Sequence, residues 1–395
     1  MSPARWQMTK TFFRIGATSY GGPAIVAQIR EAVVLQKQWL SEDEFRESVA
    51  VAQLLPGPVA TQTAAHVGWR LHRGQGVLLA MLAYNSPAFL LMLGLSAAYF
   101  RYEGLPIVTT AFRGLGAAVV AIVAQSILSM AQPALRNWVG LLIAAAAAAG
   151  FFAGADTLLV LLGAALAGIL VGLARTDETT VAETEPEPAA RADGASYRRT
   201  LLATTAVALA FVVALSASRL LSPRFPKLGV TMSKINLVAF GGGYTAVALM
   251  FQDVVSDPAT EWLTPKEFID GLALGQITPG PVIITATFIG YRVGGVIGAA
   301  FATICIFLPS SLLLVLLAPH FARLRYLRVV QDAVSGLLAA FIALLLHVLA
   351  AVARSAFLGP WDLVLTVLAF ACLRLRVNVV WVVIGSVLLS LFLFP

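Results

Sequence analysis

Gln53-Leu54-Leu55-Pro56-Gly57-Pro58-Val59 recurs as Gln276-Ile277-Thr278-Pro279-Gly280-Pro281-Val282, and in both places the motif interrupts an apolar stretch. Proline lacks a backbone donor and disfavours helical geometry in the residue before it, so a helix entering Pro-Gly-Pro must break. Gly57 or Gly280 can then cap a second half-helix, with Pro58 or Pro281 at its first position. Upstream, Ser41-Glu42-Asp43-Glu44 and Thr264-Pro265-Lys266-Glu267 each read as a capping box that starts the interrupted helix. Only about eight apolar residues lie between start and break, too few to cross a bilayer. Read as one path, Val49 to Trp69 is about 21 residues and rises roughly 31 Å, which places the break well inside the membrane.

The duplication extends outward from these motifs. Arg14-Ile15-Gly16-Ala17-Thr18-Ser19-Tyr20-Gly21-Gly22-Pro23 parallels Lys234-Ile235-Asn236-Leu237-Val238-Ala239-Phe240-Gly241-Gly242-Gly243, so a second, glycine-rich break precedes each Pro-Gly-Pro. Trp39 to Phe45 parallels Trp262 to Phe268, Gly68-Trp69-Arg70 parallels Gly290-Tyr291-Arg292, and Pro87 and Gly114 fall in register with Pro309 and Gly336. Ordered matches at a nearly constant offset indicate an internal repeat. Between the halves, residues 175–199 switch to Thr, Glu, Pro, Ala and Arg, a solvated linker. The expected division is a first repeat over 1–174, the linker over 175–199, a connecting transmembrane helix over 200–227 and a second repeat over 228–395.

Composition sets the solvent. Of 395 residues, 59% are apolar and 12% charged, with mean hydropathy +0.86, which leaves too little polar surface for soluble domains. The expected fold is an all-α integral membrane protein made of two homologous inverted-topology repeats with broken or re-entrant helices. Six apolar segments per repeat and the connecting helix give about 13 membrane segments, and re-entry of the interrupted ones would lower that count. An odd number of crossings before the second repeat inverts it, and inverted repeats with broken helices are a transporter signature. With a cytoplasmic N-terminus, Arg5, Lys10, Arg70, Arg73, Arg136, Arg175, Arg198, Arg199, Arg323, Arg325, Arg328, Arg374 and Arg376 fall inside. A smaller set, Arg30, Lys37, Arg101, Arg219, Arg224, Lys227, Arg292 and Arg354, falls outside, which favours this orientation in a cell membrane. The net charge of +7 therefore reads as topology anchors rather than a nucleic-acid surface. Residues 1–10 lack the apolar core of a secretory signal and are expected to be retained.

Restarted half-helices present unpaired N–H groups and the positive ends of their dipoles, which favour an anion. The expected substrate site therefore comprises Gly21, Gly22, Pro56, Gly57, Pro58, Thr61 and Gln62 from the first repeat, and Gly241, Gly242, Gly243, Pro279, Gly280, Pro281 and Thr285 from the second. Arg14, its counterpart Lys234, and Arg113 are cations within the spans and are expected to supply charge. Tyr20, Tyr84, Asn85 and Tyr244 either line the path or pack helices, and His66 and His347 read as packing residues. Histidine and cysteine spacings suit no metal, and no phosphate loop or nucleophile elbow appears, so neither cofactor nor ATPase activity is expected.

Together, Gly21-Gly22-Pro23, Trp39-Leu40 with its acidic run, Gln53 to Pro58, Gly68-Trp69-Arg70, Phe240 to Tyr244 and Gln276 to Pro281 resemble the chromate ion transporter family, in its long form of two fused halves. After Pro58 this chain has Val59-Ala60 where that pattern carries a polar pair. The resemblance implies export of chromate from the cytoplasm and chromate resistance. Sulfate is a dianion of similar shape and size, and transport of another oxyanion or an anion channel would share the same physics. The membrane potential favours dianion export by about 4.6 kcal/mol per 100 mV, with a coupling proton or counter-anion as an added option. Small-residue runs such as Ala144 to Ala149 suit packing within the chain or in a homodimer.

Overall fold

The computed structural model describes residues 3–20, 22–174, 194–258, 260, 262–321 and 327–394. Gly21 and most of the expected linker lie outside them. Among the described residues the chain is helical, without strands. The first half comprises α1 (Arg5–Thr18), α2 (Gly22–Arg30) with a π-helical continuation (Glu31–Gln36), α3 (Glu42–Leu54), α4 (Val59–Tyr102), α5 (Pro106–Ala134), α6 (Trp138–Phe152) and α7 (Thr157–Ala174). After α8 (Gly194–Ala217) the second half comprises α9 (Phe225–Val238), α10 (Gly243–Phe251), α11 (Pro265–Ile277), α12 (Thr285–Leu317), α13 (Arg328–Ala356), α14 (Pro360–Arg374) and α15 (Val379–Leu393). Both expected capping boxes form, Ser41 with Glu44 and Thr264 with Glu267.

The interrupted segments do not run straight. Ser48 Oγ lies 2.9 Å from His66 Nδ1, and Arg70 Nη1 donates to Glu44 Oε1 at 2.9 Å while its other nitrogen bonds Glu47. The far end of the restarted helix thus returns to the beginning of α3, so the two arms are antiparallel and Pro56-Gly57-Pro58 is their tip. The second motif does the same: Arg292 Nε donates to Glu267 Oε1 at 3.0 Å, and Gly271 faces the Phe288 ring. The continuous path expected from Val49 to Trp69 is corrected accordingly. Pro-Gly-Pro dictates a break but leaves the direction of restart to the glycine; here Gly57 and Gly280 take φ of +98° and +111°, and the ion pairs close the arms.

Each returning arm then reverses again. In α4, His72 and Arg73 leave helical geometry, Arg73 with φ +54°, and divide the helix into a returning arm (59–71) and a long arm (74–102). The arms pack so closely that a Cβ on Gly68 would sit 2.3 Å from the Gly76 carbonyl oxygen. Gly294 and Gly295 make the equivalent turn in α12, and Gly290 meets Gly298 in the same way. Glycine is therefore required at both crossings by contact alone.

The halves interlock. α5 packs against α14 and α15, and its counterpart α13 packs against α6 and α7. Gly114 abuts the Ser386 backbone and Gly336 the Ala164 backbone, two close approaches in corresponding places. Among the described residues, six helices are long and apolar enough to span a membrane: α4, α5, α7, Thr200–Leu220, Val282–Leu317 and α13; α6 and α15 are shorter apolar helices. The chain is a multi-pass membrane protein. The helix between the two halves, Thr200–Leu220, buries little of its surface against the rest of the chain.

The antiparallel arms predict the sidedness of their ends. In a chain with Cys305 and Cys372 replaced by alanine, single cysteines at Asp43 and Gln75, both exposed, should react with an impermeant maleimide from the same face of the membrane. Labelling from opposite faces would restore the straight path.

Candidate functional site

The two hairpin tips reach into each other's repeat. Gly57 N–H donates to Ala239 O at 2.8 Å, and Gly280 N–H donates to Ser19 O at 2.8 Å. Ala239 closes α9 just before Gly241-Gly242-Gly243, and Ser19 closes α1 just before Gly21-Gly22. Each Pro-Gly-Pro tip is therefore latched to the other repeat's glycine break. The amides of Gly57 and Gly280 are engaged by protein, and what these residues supply is the turn. A Cβ at Gly57 would meet Ser310 Oγ, Asn236 Nδ2 and Gln62 Nε2 at 3.0 to 3.2 Å, in a conformation that L-residues adopt at a cost of about 1–2 kcal/mol.

Between the latches lies a cavity of about 480 Å³ lined by parts of both tips and of the glycine breaks. Pro58, Gly241, Gly242, Gly243, Gly280 and Pro281 reach it, as do Tyr20, Gln53, Tyr244, Gln276 and, from α5, Ser126 and Ser129. Three helix starts face it: α4 after Pro58, α10 after Gly242, and the single turn Val282–Ile284 after Pro281, none with a side-chain cap. First-turn N–H groups there remain free of intrahelical partners. Gln276 accepts from Tyr244 OH at 3.2 Å, while its Nε2 donor has no protein partner. The lining carries no Asp, Glu, Lys, Arg or His. Uncapped helix starts favour an anion through oriented neutral dipoles rather than through fixed charge.

The other expected residues take supporting positions. Pro56 and Pro279 shape the tips, and Gln62 braces the first one by donating to Pro56 O at 3.2 Å. Thr61 is buried behind it, with a hydroxyl that has no protein partner. Thr285 donates to Val282 O at 2.9 Å, and Gly22 starts α2. Arg14 is exposed on α1. Lys234 pairs with Asp253 at 2.6 Å. Arg113 grips buried Asp362 through two bonds of 2.8 and 3.0 Å and lies over the Phe394 ring, while Asp362 also accepts the backbone N–H groups of Leu358 and Gly359. None of the three cations lines the cavity. Tyr84 and Asn85 lie buried in α4 away from it, His66 bonds Ser48, and His347 packs edge-on to Phe152.

Sequence reasoning did not single out Ser126, Ser129, Asn236 or Ser310. Asn236 Oδ1 accepts the Ser310 N–H at 2.7 Å beside the first tip. The available signal was plain polarity: isolated serines in an otherwise apolar α5, and an asparagine one turn before a glycine run. No group of side chains that could hold a metal occurs among the described residues.

Residues 6–169 and 226–391 each match the family model described as chromate transporter. An uncharacterised transporter of Methanocaldococcus jannaschii is 32% identical over 392 residues, 98% of this chain and 94% of the relative. The chromate transport protein of Cupriavidus metallidurans is 30% identical over 396 residues, 98% of this chain and 93% of its own. A chromate transport protein of Pseudomonas aeruginosa is 32% identical over 317 residues, 77% and 70% of the two chains. No solved structure matches.

The ion pairs separate a structural role from a binding role. Lys234→Gln strands Asp253 without its cation and should lower thermal stability in detergent, by about 1–3 kcal/mol. Lys234→Gln combined with Asp253→Asn should recover both stability and transport. A double variant that folds as well as the parent but no longer transports would assign Lys234 to the substrate.

Proposed function

Because the chain belongs to the chromate transporter family, we propose that it exports chromate from the cytoplasm across the cell membrane as a secondary transporter and so confers chromate resistance. The observation that carries this reading is the cavity between the two latched tips, whose polar lining is neutral and rich in donors. A tetrahedral dianion sits there on the first-turn N–H groups of α4, α10 and the turn at Val282, with the amides of Gln53 and Gln276 and the α5 serines around it. Neutral dipoles suit a carrier, because a cage of fixed cations would hold a dianion too tightly for release. Arg14 adds favourable field at the approach, whereas Lys234 and Arg113 hold Asp253 and Asp362 in place.

The proposed division is two repeats over 1–174 and 228–395, joined by the linker over 175–199 and the helix within 200–227. In this reading both interrupted segments of each repeat re-enter; Arg30 at the end of α2 bonds Glu42 at the start of α3 at 2.9 Å, which keeps the end of the first segment at the face from which the second sets out. A repeat then crosses the membrane with the long arm of α4, α5, α6 and α7, α8 crosses once more, and the second repeat begins on the opposite face. About nine crossings replace about 13. Were only one segment per repeat re-entrant, the count before α9 would be even and the repeats parallel. The inverted arrangement is supported by the long arms of α4 and α12, which lie antiparallel: Met81 meets Ser311 while Gly74 meets Val315. This topology also moves Arg30 and Lys37 to the inner face, which strengthens the charge bias for a cytoplasmic N-terminus.

Alternating access follows from rocking one repeat against the other about the latches. The same donors fit sulfate, so another oxyanion is the second reading. In everted vesicles, whose lumen corresponds to the cell exterior, labelled chromate should accumulate and do so faster under a lumen-positive potential. Gln276→Leu should raise the half-saturating chromate concentration about tenfold, the loss of one hydrogen bond to a charged ligand. No accumulation above vesicles lacking the protein would remove the function, and sulfate outcompeting chromate would transfer it.

A further inference from the structure

The two hairpins differ at one acid. Glu47 of α3 and Asp270 of α11 hold corresponding positions, as do Glu44 with Glu267 and Arg70 with Arg292. In the first hairpin Arg70 engages both Glu44 and Glu47. In the second, Arg292 engages Glu267 alone. Asp270, one methylene shorter and 2% exposed, forms no ion pair among the described residues and instead accepts the Tyr99 hydroxyl at 2.8 Å. Tyr99 lies on α4, so this hydrogen bond crosses from one repeat to the other. Aromatic rings of Phe100, Phe112 and Phe288 surround Tyr99.

The charged and titratable groups at this end of the helices packed on α11 are few. Lys266 and Glu267 lie on α11 itself, Tyr99, Arg101 and Tyr102 on α4 with Glu103 just after it, Tyr291 and Arg292 on α12, Arg113 on α5 and Arg354 on α13, while α15 carries none. Arg292 is taken by Glu267 and Arg113 by Asp362. A carboxyl that is buried just inside the mouth of a hairpin, among aromatic rings and without an ion-pair partner, is a functional-site candidate, since its charge is costly until water or a cation reaches it.

We propose that Asp270 is the proton-binding site of the transporter, taking up a proton from the outer face and releasing it inward in exchange for the dianion. The proposal rests on the exporter reading for the exchanged anion. Release breaks the carboxylic O–H bond, leaves the electron pair on the carboxylate oxygen and passes the proton to water as hydronium; uptake is the reverse. Because the bond to Tyr99 spans the repeats, rocking that opens one face also changes what Asp270 can reach. Proton occupancy and repeat orientation are thereby linked.

Two measurements test this on the full chain. In proteoliposomes with a trapped pH dye, a chromate gradient should drive protons in the opposite direction through the wild type. D270N should transport more slowly, carry no protons and lose the pH dependence of chromate flux, and D270E should recover proton movement. Wild-type chromate flux without proton movement, or unchanged proton movement in D270N, overturns the proposal while leaving the exporter reading intact. Separately, dicyclohexylcarbodiimide, which attacks protonated carboxyls in apolar surroundings, should label wild-type Asp270 at least fivefold more than Glu44 or Glu47, increasingly as pH falls. Absence of that label overturns the assignment even where D270N fails to insert. Absence of any wild-type chromate flux overturns the exporter reading, and the label then decides Asp270 alone.

Discussion

A backbone amide inside a bilayer has no water to bond, so every break in a membrane helix creates donors and acceptors that the protein itself must satisfy. Four of the breaks in this chain, the two Pro-Gly-Pro tips and the two glycine-rich segments, are paired across the repeats. The Gly57 amide satisfies the Ala239 carbonyl, and the Gly280 amide satisfies the Ser19 carbonyl. The consequences spread outward. Each tip must reach the other repeat's break, so the hairpins lie side by side; the cavity is what remains between them; and its lining inherits the N–H groups that the latches leave over.

Charge is handled by the same economy. Arg70 is closed by two glutamates, Lys234 by Asp253, Arg113 by Asp362 and Arg292 by Glu267. The pairs of Arg70 and Arg292 close the arms of single hairpins, whereas Arg113 ties α5 to the start of α14 across the repeat boundary. Such pairs rarely add net stability relative to an apolar substitute, but a lone partner is costly, so they specify which helices meet. The polar cavity can then remain free of fixed charge.

Much of this was legible in the sequence because it rests on local chemistry. Proline and glycine announced the breaks, the capping boxes announced their starts, and the repeated order of Gln, Pro-Gly-Pro and Gly-aromatic-Arg announced that two halves share one plan. Direction was not legible. The sequence around Gly57 is equally compatible with continuing and with turning back, and the decision depends on Arg70 meeting Glu44 some 26 residues away. The partners of the cations were hidden for the same reason. Arg113 and Asp362 are separated by 249 residues, and no spacing rule connects them. The cavity serines were overlooked because a serine in an apolar helix more often bonds its own backbone, as Ser126 does at 2.8 Å.

The latches also constrain how the two repeats can move against each other. Opening one separates a glycine amide from a carbonyl of the opposite repeat, and each group left without a partner away from water costs about 1–3 kcal/mol until it finds another. The two latches have the same donor type, the same acceptor type and the same 2.8 Å length, so neither repeat is held by a visibly weaker bond than the other. Glycine at positions 57 and 280 makes this arrangement possible, because the positive φ at each tip is what turns its amide toward the other repeat.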